Sequence, residues 1–97
     1  MSGDSKQAYE DKLQAQLDLW KAEMAKLRAQ ADVASAEARI KINQHMEKLM
    51  DEQKQAHEKL EELQQASSDA WHDMKSGVDK SFEIFSASVK SAMSRFL

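Results

Sequence analysis

Residues 60–96 read LEELQQASSDAWHDMKSGVDKSFEIFSASVKSAMSRF, and what recurs in them decides the fold. Leu60, Trp71, Phe82 and Met93 stand eleven residues apart, and so do Leu63, Met74, Phe85 and Phe96. A third row, Ala56, Ser67, Val78 and Val89, keeps the same interval and completes a 3-4-4 apolar stripe. Eleven residues in three turns is about 3.67 per turn, so the stripe runs nearly straight along a helix with a slight right-handed drift. Upstream, Leu27, Ala38 and Leu49 extend the first row, and no proline interrupts it. The predicted fold class is all-α: a long helix over about residues 5–66 and a shorter one over about 69–96. They form an elongated coiled-coil hairpin or an extended helical oligomer, one domain over 1–97.

Composition agrees. Charged residues make up 32% of the chain, with two glycines and no proline, which is the make-up of long helices; the alternation and turn residues a β-sheet needs are missing. The net charge of −3 mixes both signs along the whole length, so no basic stripe offers counterion release, and nucleic acid is not an expected partner. The absence of cysteine excludes disulfide and thiolate chemistry. The polar stretch Met1–Glu10 lacks the apolar core of a secretory signal, and no apolar run approaches the roughly 20 residues that cross a bilayer. A cytoplasmic location is the default expectation.

At the start, Asp4 followed three residues later by Gln7 fits a helix cap, with the first helix beginning near Ser5. Leu13, Trp20 and Leu27 then recur every seven residues, interleaved with Leu17, Met24 and Ala31, as in a heptad seam. Between Ala29 and Ala38 the apolar positions shrink to alanine, including Ala34, which marks a tight helix crossing or a weak point. The stripe resumes with Ile42, Met46, Leu49, Met50, Ala56, Leu60 and Leu63, interrupted by His45 and Gln53. The best break is Ala66-Ser67-Ser68-Asp69, where Ser68 can cap a new helix and Asp69 sits at its positive end.

Helix lengths then set an expectation about partners. At 1.5 Å per residue the first helix spans about 90 Å and the second about 40 Å. A chain folded back at Ser67 and Ser68 brings Phe85 near Met50 and Phe96 near Arg39, and covers only the second half of the long helix. The seam of Leu13, Leu17, Trp20, Met24, Leu27, Ala31, Ala34 and Ala38 is left without an intrachain partner. Burial of its larger side chains is worth roughly 1.5–3 kcal/mol each, so another copy of the chain or a lipid surface should cover it.

No catalytic centre is legible. His45, His57 and His72 do not come with the converging ligands of a zinc or di-iron site, and there is no glycine-rich phosphate loop or nucleophile with its base. Neither an enzyme, nor a metal or other cofactor, nor a small-molecule substrate is expected. The C-terminal segment is the strongest functional candidate, because it holds four of the six aromatics. Its apolar face is Trp71, Met74, Val78, Phe82, Phe85, Val89, Met93 and Phe96, and its other faces are rich in serine: Ser76, Ser81, Ser86, Ser88, Ser91 and Ser94. Bulky apolar groups opposite a weakly charged serine face are what helices that insert into lipid-packing defects use; a core-facing stripe has the same spacing.

The segments Leu13-Gln14-Ala15-Gln16-Leu17 with Trp20, Ala36-Glu37-Ala38-Arg39-Ile40, Lys59-Leu60-Glu61-Glu62-Leu63, Asp69-Ala70-Trp71, Gly77-Val78 and Ser94-Arg95-Phe96 follow one another in an order that resembles a family of small bacterial coiled-coil proteins. That family is loosely described as stress-response proteins with apolipoprotein-like helical repeats. The resemblance implies a bacterial source, an all-helical fold and a role in stress, with no catalytic residues to carry over. Two functions are therefore expected in order. The first is a self-associating coiled-coil scaffold joined through the Leu13–Ala38 seam. The second is a reversible amphipathic-helix binder of lipid or granule surfaces in the manner of apolipoproteins or phasins, using the Trp71–Phe96 face.

Overall fold

The computed structural model describes residues 3–97, with side chains from Ser5 onward. The chain is all-α and forms three helices of nearly equal length: α1 (Gly3–Val33), α2 (Ala36–Gln65) and α3 (Ser68–Phe96). They fold up, down and up into an elongated bundle of 51 × 18 × 18 Å. α1 is already helical at Gly3, slightly before the start expected near Ser5. Met1, Ser2 and the Asp4 side chain expected to cap it lie outside the described residues.

The single long helix over 5–66 is corrected to two helices. The break falls at Ala34 and Ser35, inside the run of small residues, where Ser35 is extended (φ −61°, ψ 163°) and its Oγ accepts from the Ala38 N–H at 3.3 Å. Glu37 adds a negative charge in the first turn of α2. On the other side, Arg39 reaches back and donates from Nε to the Ala31 carbonyl at 3.0 Å, which also accepts from the Ala34 N–H at 3.4 Å, so the last turn of α1 is tied to the first turn of α2. Helix propensity alone would carry alanines through this point. The serine cap and the apolar surface buried by folding back outweigh it.

The second break stands where expected, but Ser67 rather than Ser68 is the cap. Ser67 is extended (φ −64°, ψ 166°), its Oγ accepts from the Ala70 N–H at 3.3 Å, and Asp69 lies in the first turn of α3. The two turns are chemically the same device: Ala34-Ser35-Ala36-Glu37 and Ala66-Ser67-Ser68-Asp69 both read Ala-Ser-x-acid. With only two residues in each connection, sequential helices must pack antiparallel, which puts α1 and α3 side by side and parallel.

That third helix supplies the intrachain partner that the Leu13–Ala31 seam was expected to lack. Leu13, Leu17, Trp20, Met24, Leu27 and Ala31 are buried within the protein, as are Ile42, Met46, Leu49, Leu60 and Leu63 of α2. Ala34 and Ala38, also assigned to the oligomer seam, are half-buried at the turn. Met50 is 51% exposed, and Phe85, fully buried, packs on Trp20. Phe96 lies against His45, with ring centroids 5.2 Å apart.

Candidate functional site

The two faces singled out in the sequence turn out to be two sides of one core. Trp20 of α1 sits between Phe82 and Phe85 of α3, at centroid distances of 5.8 and 5.1 Å, the second an edge-on contact of the kind aromatic quadrupoles favour. Of the expected α3 face, Trp71, Val78, Phe82, Phe85 and Val89 are buried, while Met74, Met93 and Phe96 are half-buried and packed against the same cluster. Ala92, fully buried, belongs to it as well.

The outer surface of α3 differs from that of its neighbours. Among the described residues the ion pairs lie on α1 and α2: Glu23–Lys26, Lys48–Glu52, His57–Glu61 and Lys59–Glu62. The outward positions of α3 include Ser76, Ser91 and Ser94, exposed, with Ser81, Ser86 and Ser88 half-exposed, among charged residues of both signs. Its packing is also uneven, closer along α2 than along α1. Between α1 and α3 runs an open groove of about 490 Å³ whose floor is Leu13, Trp20 and Phe82 and whose rim includes Lys12, Asp79, Glu83 and Lys90.

One end of the α1–α3 seam is held by a polar clasp. The Tyr9 hydroxyl donates to Asp79, the Tyr9 ring meets Trp71 edge-on at 5.4 Å, and the Lys75 ammonium lies 4.8 Å from the centre of the Tyr9 ring. Burial, then the hydrogen bond to Asp79 and its charge, push the Tyr9 phenol well above its ordinary range. Beneath the clasp Trp71 is only 2% exposed, yet its Nε1–H has no hydrogen-bond partner among the described residues. Such a donor costs about 1–3 kcal/mol in a closed core.

The clasp was not read from the sequence. Tyr9 lies four residues before Leu13, and Glu10, 6% exposed, lies one heptad before Leu17, so the seam's own periodicity continued backward reaches both. Lys75 and Asp79 carry no such signal. They become partners of Tyr9 only once α1 and α3 are known to be neighbours.

The histidines stand apart from one another. His57 Nε2 pairs with Glu61 Oε1 at 2.8 Å, His72 stacks edge-on with Trp71 at 5.6 Å, and His45 with Phe96. Among the described residues no three His, Asp or Glu side chains cluster to hold a metal ion, and no helix is long and apolar enough to cross a membrane. No family model matches this chain, and no curated protein or solved structure matches it either.

Proposed function

We propose that this protein is a reversible binder of lipid or storage-granule surfaces, closed as a three-helix bundle in water and opened along the α1–α3 seam at the surface. The observation that carries this reading is the enclosure of the Leu13–Ala31 seam by the Trp71–Phe96 face of the same chain. A scaffold built on that seam would have to unfold the bundle first. A surface binder has to do so, because insertion of the freed apolar face supplies its binding.

Three further features support it. The groove along α1 and α3 leaves the seam less tightly packed than the rest. The serine-rich outer face of α3 matches a helix held by insertion rather than by charge. The unpaired Trp71 N–H gains partners at a membrane interface, where indoles bury the ring and hydrate the nitrogen. A part in stress physiology, the implication of the family resemblance, would fit a protein that responds to disturbed lipid packing.

The test is size exclusion with light scattering, with and without vesicles. The expected result is an 11.0 kDa monomer that moves into the vesicle fraction while retaining its helicity. A stable oligomer that ignores vesicles at every concentration would replace this reading with the self-associating scaffold.

A further inference from the structure

The end of the bundle opposite the clasp gathers the ends of α1 and α3 and the start of α2. There Val33, 80% exposed, is the most exposed large apolar residue in the described chain, and Ile40 and Leu97, at the same end, are 59% and 58% exposed. On the α2–α3 seam at the same end, Lys41, Gln44, His45, Arg95 and Phe96 line an open pocket of about 510 Å³. No carboxylate lines it. Lys41 and Arg95 take part in none of the ion pairs seen among the described residues, although Glu37 stands one turn before Lys41 on α2. Residues 32–45 and 91–97 carry Arg39, Lys41 and Arg95 against Asp32 and Glu37, in a chain whose formal charge is −3.

Resting on the surface-binding reading above, we infer that this end docks first, and on an anionic bilayer. Lys41, Arg95 and the imidazole of His45 take the phosphate of a lipid headgroup over the edge of Phe96, while Val33 and Ile40 enter the acyl region. The chemistry matches on both counts. Guanidinium and ammonium donors in a pocket that no carboxylate lines suit a phosphodiester, and exposed aliphatic side chains at the same end of the bundle suit hydrocarbon just below it. A soluble anion would need the cations and would have no use for the aliphatic pair. Docking by this end also leaves the clasp at the far end in place until the molecule is already held at the surface.

The experiment compares flotation of the full chain with vesicles of phosphatidylcholine alone and of phosphatidylcholine with phosphatidylglycerol. The variants are K41Q/R95Q, V33S/I40S, and K54Q/K59Q, which removes the same charge from the middle and far part of α2. Circular dichroism melts check that each one folds. The expected result is preference of the wild type for the anionic vesicles, a loss of about thirtyfold in partitioning for K41Q/R95Q at roughly fivefold per cation, a comparable loss for V33S/I40S, and partitioning near wild type for K54Q/K59Q. If K41Q/R95Q and K54Q/K59Q fall equally, general charge attraction replaces the tip. Equal wild-type binding to both vesicles keeps the surface reading and overturns the tip, whereas flotation with neither overturns the surface reading itself. Inorganic phosphate that shifts the His45 and Lys41 resonances equally in wild type and V33S/I40S, with vesicle binding unaffected by K41Q/R95Q, makes the pocket a free-anion site and overturns the inference.

Discussion

The two ends of the bundle solve opposite problems. At one, Tyr9, Trp71, Lys75 and Asp79 tie α1 to α3 through a hydrogen bond, an edge-on ring contact and a cation over a ring. At the other, Val33, Ile40 and Leu97 are left in water, and Lys41 and Arg95 line a pocket that holds no carboxylate. An end that serves only stability would be expected to pair its charges, as the middle of α1 and α2 does with Glu23–Lys26 and Lys48–Glu52. The contrast separates a lock from a contact surface within one short chain, and substitutions at the two ends should therefore fail in different assays.

The largest effect belongs at the locked end. Trp71→Ala removes a buried indole and should cost about 3–5 kcal/mol, seen as a large drop in the thermal midpoint. Trp71→Phe should cost far less, below about 1.5 kcal/mol, because it also removes the unpaired N–H. If the two substitutions were equally damaging, the indole nitrogen would have a role in the closed bundle. Next comes Tyr9→Phe, which should cost about 1 kcal/mol at neutral pH and should also change the alkaline limb of stability. The fold favours the neutral phenol, so its contribution is complete below the ordinary phenol pKa of about 10 and is lost as pH rises through the higher folded value. Wild type should therefore lose stability above about pH 10 more steeply than Tyr9→Phe, measured by melts across that range.

Smaller effects sharpen the comparison. Ser35→Ala and Ser67→Ala should each cost about 1 kcal/mol, and equal costs would show that the two turns are equivalent despite their different ends. Gly77 is an exposed helical residue with open space where a Cβ would stand, so Gly77→Ala should stabilise by up to about 1 kcal/mol. By holding α3 in place it should slow transfer to vesicles. Least of all, Val33→Ser with Ile40→Ser should move the melting curve by no more than about 0.5 kcal/mol, while weakening flotation strongly. A variant pair that destabilised the fold instead would make that end part of the core.

Sequence periodicity revealed the all-helical class, the break near Ser67 and nearly every residue of the core. It missed the break at Ser35, although Ala34-Ser35-Ala36-Glu37 carries the same signature as Ala66-Ser67-Ser68-Asp69. The reason is physical: alanine is the best helix former, so a run of alanines around a serine masks the cap within it. That one omission changed the inferred partner. With a single turn Trp20 had nothing to pack on inside the chain; with two turns it meets Phe82 and Phe85. The clasp was invisible for a different reason, since a pairing between Tyr9 and Asp79 crosses seventy positions of sequence and depends on topology. The exposed end was invisible because apolar residues that recur out of phase with the stripe look like noise until their side of the helix is known.

The two-residue turns carry a consequence for timing. Each helix finds its neighbour through the shortest of connections, so most of the contacts that define the bundle form between segments adjacent in the chain. Helical bundles of such local topology fold in microseconds to milliseconds. A molecule that closes this quickly spends little time with its aromatic row bare after leaving a surface. Its residence there is then governed by the rate of departure rather than by the speed of refolding, and the released chain has little opportunity to aggregate.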